Sequence, residues 1–229
     1  MPFNFFPEDK EKMDKNLVKP LLETKFVKVY DLQYEEGKHY YDATRHDREH
    51  LTATLTDEEF KAMQPDAATC YVVIKTPGEA PRLLLNYEYR YPVGQYLLSV
   101  PAGLVDDCDK GKDNALIETA VREIKEETGI TVKPTDRVFV INPCVFSTPG
   151  LTDESNGLVG AVIELDDLSS LNQTGAVGGE SFDGFCLVTK EKAMELIRKG
   201  TDDRGRFYPM YTLGALMWFA FDSWKEERG

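Results

Sequence analysis

Arg122-Glu123-Ile124-Lys125-Glu126-Glu127 gathers three carboxylates and a guanidinium into six residues. Glu123 stands three before Glu126 and four before Glu127, so on a helix the three acids share one face. Like charges at those spacings oppose an isolated helix by about 0.2–0.5 kcal/mol per pair. A hard divalent cation reverses that repulsion. Mg²⁺ suits such a face because it takes a few carboxylates and keeps waters and substrate phosphate oxygens as its other ligands. A solvated acidic helix face is the alternative. Upstream, Pro101-Ala102-Gly103 follows a short β-rich run, and a glycine there permits a tight turn that can aim a carbonyl at a metal.

The elements that must position these groups are legible from periodicity. Leu116, Ile117, Ala120, Val121 and Ile124 recur at three and four residues, which predicts a helix over 113–128, with Gly129 as its stop. Strands are expected over 26–32, 39–44, 70–75, 82–87, 96–100, 137–142, 157–165 and 185–188. Further helices are expected over 56–63, 190–199 and about 209–225, the last carrying the aromatic cluster Trp218-Phe219-Ala220-Phe221 as core or dimer contact. The first 24 residues show no stable period and read as an arm or short helix. Strands and helices mix without βαβ alternation, so the fold class is α+β with a mixed sheet. The expected division is a small N-terminal arm and β subdomain over 1–60 and a main domain over 61–229.

The stretch from Gly103 to Ile130 resembles the Nudix hydrolase signature G-x5-E-x7-R-E-U-x-E-E-x-G-U, where U is apolar. Its second half is intact: Arg122, Glu123, Ile124, Glu126, Glu127, Gly129 and Ile130 all match. The first half departs. Counting forward from Gly103 gives Asp109 and counting back from Arg122 gives Asn114, which implies a five-residue insertion around Asp107 to Lys112 and no glutamate at the expected place. Tyr87 to Asp106 resembles the Q-x-R…E-x-PAG-L-x-D stretch of ADP-ribose and ADP-sugar pyrophosphatases, with Ser99 in place of the glutamate. Ser147 to Glu154 resembles their SPG segment.

The resemblance implies an α/β/α sandwich with an N-terminal β subdomain exchanged across a homodimer. It also implies Mg²⁺-dependent (or Mn²⁺-dependent) cleavage of ADP-ribose or a related nucleoside diphosphate sugar to AMP and a sugar phosphate. On that basis Glu123 and Glu127, with the Ala102 carbonyl, hold the metal. Glu126 is a further ligand with a catalytic share, and Arg122 braces a carboxylate through a bidentate bond. Glu180 manages the attacking water, with Asp183 as the alternative. Arg90 contacts phosphate, Arg45 contacts substrate, and Pro149 and Gly150 shape a ribose pocket. The two departures leave open a Nudix enzyme for another nucleoside diphosphate derivative, or a catalytically weak ligand-binding module.

Composition narrows the field. Lys+Arg of 27 against Asp+Glu of 40 gives a net charge of −13, which argues against a nucleic-acid partner. The longest apolar run, 213–221, falls far short of a membrane span, and Met1 to Phe6 lacks the basic start of an export signal. Cys70, Cys108, Cys144 and Cys186 form no CxxC pair, so a reducing cytoplasmic setting is expected. His46-Asp47-Arg48-Glu49-His50 fits the H-x-x-E-H zinc-peptidase pattern, but that chemistry needs both histidines on one helix face. Strand-like Tyr40 to Thr44 and the charged residues between the histidines argue for a polar loop instead.

Overall fold

The computed structural model describes residues 11–106, 109, 111–175 and 181–226, and element counts refer to these residues. The chain parts into two compact units. One holds the described residues up to Gln64 together with Phe146–Ser155, and the other holds Pro65–Val145 and the described residues from Asn156 onward.

In the first unit, β1 (Val18–Glu23), β2 (Lys28–Glu35) and β3 (Lys38–Thr44) form an antiparallel meander in that order. Gly37 turns the β2–β3 hairpin at φ +69°, where a side chain would be strained. Of the 24 residues expected as an arm or short helix, those described are 11–24, and they differ in containing a strand. Lys15–Leu17 makes a 3₁₀ turn, and Val18–Glu23 pairs with β2, Val18 opposite Leu32 and Tyr30 opposite Pro20. That pairing depends on a partner strand rather than on local period, and Pro20 is tolerated because β1 is an edge strand whose register shifts there. Val18, Tyr30 and Leu51 form this unit's core. A short helix, α1 (Asp57–Ala62), is closed by a capping box. Thr56 Oγ1 accepts from Glu59 N, and the Glu59 carboxylate accepts from Thr56 N.

The second unit is built on seven strands. β4 (Ala67–Lys75), β5 (Arg82–Arg90), β8 (Arg137–Phe146), β9 (Ser155–Glu164) and β10 (Phe182–Val188) run in the order β10-β5-β4-β9-β8. β6 (Gln95–Ser99) pairs with β5, and β7 (Ala102–Leu104) pairs with β4. β4 and β9 are parallel over nine residue pairs while the β4–β5 and β5–β10 pairs are antiparallel, so the sheet is mixed. Alternation sorts the side chains onto two faces. Cys70, Val72, Ile74 and Leu84 pack against Ala120 and Ile124 of α2 (Ala115–Thr128). Tyr71, Val73, Leu83, Leu85 and Tyr87 pack against α3 (Lys190–Lys199) and α4 (Met210–Ala220). With a helical layer on each side of a mixed sheet, the unit is an α/β/α sandwich of the α+β class.

Two boundaries differ from expectation. α4 stops at Ala220 instead of running to 225, because Asp222 adopts a left-handed φ of +62° and Ser223–Lys225 forms a separate 3₁₀ turn. The Pro-Ala-Gly segment, expected as a turn, enters the sheet as β7, with Ala102 opposite Thr69 and Gly103 opposite Ala68. Among the described residues no helix is long and apolar enough to cross a membrane.

Candidate active site

α2 lays its apolar stripe on the sheet, and Glu123 and Glu127 emerge beside that stripe rather than away from it. Glu123 is 6% exposed and Glu127 3%. Glu127 is held from two sides: Oε1 accepts from the Ala102 backbone N–H at 3.1 Å, and Oε2 accepts from Asn86 Nδ2 at 2.8 Å. Glu123 lies over Gly103 so closely that a Cβ there would fall 2.0 Å from its carboxylate. The glycine of β7 thus makes the cradle in which Glu123 sits. Below them, burial drives the Cys70 thiol well above its ordinary pKa, and the charges of Glu127 and Glu123 push the same way.

Arg122 faces outward along the same side. Its Nη1 donates to Glu123 Oε1 at 2.6 Å and to Glu126 Oε2 at 3.4 Å, while Nη2 donates to the Leu104 carbonyl at 2.9 Å and lies 3.3 Å from Asp106 Oδ2. It bridges three carboxylates and the β7 backbone, in place of the expected fork on a single acid. Burial works against its charge, yet Glu123, Asp106 and Glu126 together hold the guanidinium above its ordinary pKa. Arg122 and Glu126 border an open cleft of about 810 Å³, whose far wall includes Asn172 and Gly175. Gly175 abuts α2 so tightly that a Cβ would meet the Glu126 carbonyl at 2.6 Å.

The other residues singled out by sequence fall in several places. Arg90, at the end of β5, pairs with Glu88 at 2.6 Å and remains half exposed. Asp183 pairs with Arg204 at 3.2 Å, and Arg204 lies over the Tyr87 ring, on the sheet face opposite α2. Glu180 and Cys108 lie outside the described residues. Asn114 precedes α2 and donates to Glu118 at 2.7 Å, while buried Asp109 takes the Lys112 ammonium at 2.7 Å. In the first unit, Arg45 pairs with Glu154 at 3.2 Å, Gly150 accepts from Tyr40 Oη at 2.9 Å, and Pro149 lines a small pocket with Phe146 and Leu151. The H-x-x-E-H stretch contains a 3₁₀ turn over Arg48–His50, so its histidines share no α-helical face.

Asn86 is the residue that motif reasoning missed. Its signal was an amide directly after the apolar Leu83-Leu84-Leu85 in a strand bound for the core. Among the described residues no group of three or more His, Cys, Asp or Glu side chains is gathered as a metal cage. Mg²⁺ does not need one, since it favours one or two carboxylates plus waters and substrate oxygens. Two buried carboxylates, one cradled on a glycine and one clamped by two N–H donors, fit that requirement. The donors are all hard oxygens.

A NUDIX domain family model matches residues 63–211. The chain is 30% identical to the ADP-ribose pyrophosphatase of Saccharomyces cerevisiae over 70% of its own length and 62% of that protein. It is 29% identical to the ADP-sugar pyrophosphatase of Mus musculus over 62% of its length and 61% of that protein. It therefore spans less than two thirds of the length of these curated relatives. Its fold matches a solved ADP compounds hydrolase with a TM-score of 0.54 at 19% identity, over 90% of each chain. Given a family match over residues 63–211 and the intact second half of the signature along α2 and its C-terminal Gly129-Ile130, the chain belongs to the NUDIX family.

Proposed function

We propose that the protein hydrolyses the pyrophosphate bond of ADP-ribose or a related ADP-sugar, giving AMP and a sugar phosphate, with Mg²⁺ (Mn²⁺ as substitute) held by Glu123 and Glu127. The observation that carries this reading is the pair of buried, preoriented carboxylates on α2, Glu123 over Gly103 and Glu127 between Ala102 N and Asn86. Glu126 and the Ala102 carbonyl complete the donor set. When bound, the cation neutralises phosphate oxygens and lowers the pKa of water.

The chain's own residues do the rest. Arg122 restrains Glu123 and Glu126 against their mutual repulsion. Arg90 takes a phosphate oxygen, exchanging its Glu88 partner for substrate. Glu180 orients or deprotonates the attacking water; support for it is that Gly175 abuts Glu126 and that the Ser181 carbonyl accepts from Tyr89 N at 2.8 Å, so both flanks are anchored. Asp183 is the weaker candidate because Arg204 engages it. Arg45, Pro149 and Gly150 keep the substrate-binding roles that the family resemblance gives them.

The same reading makes the protein a cytoplasmic homodimer without nucleic-acid partners. Cys70, Cys144 and Cys186 are free thiols, exposed Leu21, Leu22 and Phe26 offer apolar surface on the first unit, and the net charge is −13.

The test is AMP release from ADP-ribose with Mg²⁺, with Glu123→Gln and Glu127→Gln alongside. Turnover by the wild type and a loss of at least about several hundred-fold in each variant are expected, as befits several kcal/mol of charge stabilisation. Asn114, where the signature has a glutamate, and Ser99, where the pyrophosphatase stretch before Pro101-Ala102-Gly103 has one, favour a second reading as a ligand-binding module. Silence across a panel of nucleoside diphosphate sugars, with binding retained, would establish that reading and overturn the hydrolase.

A further inference from the structure

Asn86 sits in the middle of β5, fully buried, 41 residues before the acid it touches. Its face of the strand is the one that carries Leu84 into the core beneath α2. A carboxylate only accepts, so the amide must turn its NH₂ to Glu127 and its carbonyl away. The consequence is visible: Asn86 Oδ1 is buried with no hydrogen-bond partner. The residue directly opposite on β6 is Ser99, whose Oγ is buried and likewise without a partner. The orphaned carbonyl is a cost that an apolar side chain at position 86 would not carry. What the amide supplies, and an apolar residue would not, is the 2.8 Å bond to Glu127 Oε2.

That bond complements the one from the β7 backbone. Ala102 N anchors Oε1 and Asn86 anchors Oε2, so the carboxylate is restrained at both oxygens from two different strands. Each bond restrains one oxygen, and the pair sets the plane of the carboxylate. Groups that orient a metal-binding carboxylate in this way typically govern metal affinity by about 10–100-fold.

We infer that Asn86 is a positioning residue: it fixes the Glu127 carboxylate for a divalent cation at a cost to the stability of the core. This rests on the metal-assisted reading of the site given above. Asn86 touches neither substrate nor reacting atoms and acts through Glu127.

The experiment titrates Mn²⁺ into the substrate-free protein, following free Mn²⁺ by electron paramagnetic resonance, and records thermal melting without metal. The chains compared are wild type, Asn86→Leu, Asn86→Ala, Ser99→Ala and Glu127→Gln. Asn86→Leu removes the donor at equal side-chain heavy-atom number, and Asn86→Ala removes it by truncation. Both are expected to weaken Mn²⁺ binding by about tenfold or more. Metal-free Asn86→Leu removes the orphan carbonyl and one Glu127 bond together, so its melting temperature is expected to stay close to wild type, and Ser99→Ala, which alters the neighbouring orphan hydroxyl, is expected to bind Mn²⁺ like the wild type.

In turnover, Asn86→Leu should need more metal for half-maximal rate while the substrate KM at saturating metal stays unchanged. Wild-type Mn²⁺ affinity in both Asn86 variants, with Glu127→Gln impaired, would overturn the positioning role and leave the metal site standing. Equal loss in Ser99→Ala, or melting that falls in step with affinity, would mark Asn86 as merely structural. Absence of Mn²⁺ binding by the wild type would overturn the metal reading and this inference with it.

Discussion

Asp42 on β3 is 6% exposed, and burial pushes its carboxyl from 3.8 up to about 6. The negative charge of Asp153 adds to the rise, while the Asp153 N–H donated to Asp42 Oδ1 at 3.2 Å and the nearby His46 oppose it. Between about pH 4 and pH 6 the folded protein holds a proton that the unfolded chain has released. Stability therefore falls as pH rises through that window and stays lower above it. A shift of this size is worth at most about 3 kcal/mol. Asp42→Asn keeps an acceptor for the Asp153 N–H and removes the charge. It is expected to exceed the wild type by about 1–3 kcal/mol at neutral pH and to match it near pH 4, as read by urea unfolding at the two pH values. At the same scale, the orphaned Asn86 carbonyl is a burden of about 1–3 kcal/mol in the core. Both buried polar groups stood in plain view in the sequence, but burial is not a property of a residue type. Glu123, Glu126 and Glu127 were legible as one face because helical spacing alone brings them together.

Gly129 and Gly200 both end helices in the left-handed region, at φ +76° and +70°. They differ in surroundings. A Cβ at 129 would fall 2.1 Å from Asn172 Nδ2 and 2.7 Å from the Ser170 carbonyl, whereas a Cβ at 200 would meet nothing within 4 Å. Gly200→Ala is expected to lose only the conformational part, about 1 kcal/mol. Gly129→Ala should lose distinctly more, because the Ser170 contact is backbone and cannot swing aside. Urea midpoints at unchanged m-values would show the difference, and equal losses would mean that the 170–172 loop yields freely. Sequence periodicity located α2 to within two residues of its observed start and at its observed end. It did not locate β1 or β7, since each exists only through pairing with a strand elsewhere in the chain. Nor could it foresee that Asp222 would cut the last helix short.

A net charge of −13 surrounds a site that is proposed to take a polyanion. Long-range repulsion should slow encounter, and salt should relieve it as the screening length shrinks to about 8 Å near physiological ionic strength. At saturating Mg²⁺, kcat/KM for ADP-ribose is expected to rise by a small factor between low and physiological ionic strength, with kcat unchanged. A steep fall instead would show that the local arginines dominate approach. Across the second unit, the sheet is sealed by two separate cores, one under α2 and one under α3 and α4. That division puts Asp183 with Arg204 on one side and Glu127 with Asn86 on the other, a sorting by strand alternation that turns on the bulge between Phe182 and Phe185.

Family, α2, its acid face and the α+β class could all be read from residue order, because motif spacing, helical period and the succession of strand-like and helix-like segments are all written along the chain. Tertiary pairing settled the rest. β4 and β7 bring Gly103 beneath Glu123, and β5 brings Asn86 to Glu127 from 41 residues away. Such meetings follow from strand register and layer packing, which couple positions far apart in the chain and leave no periodic trace in it.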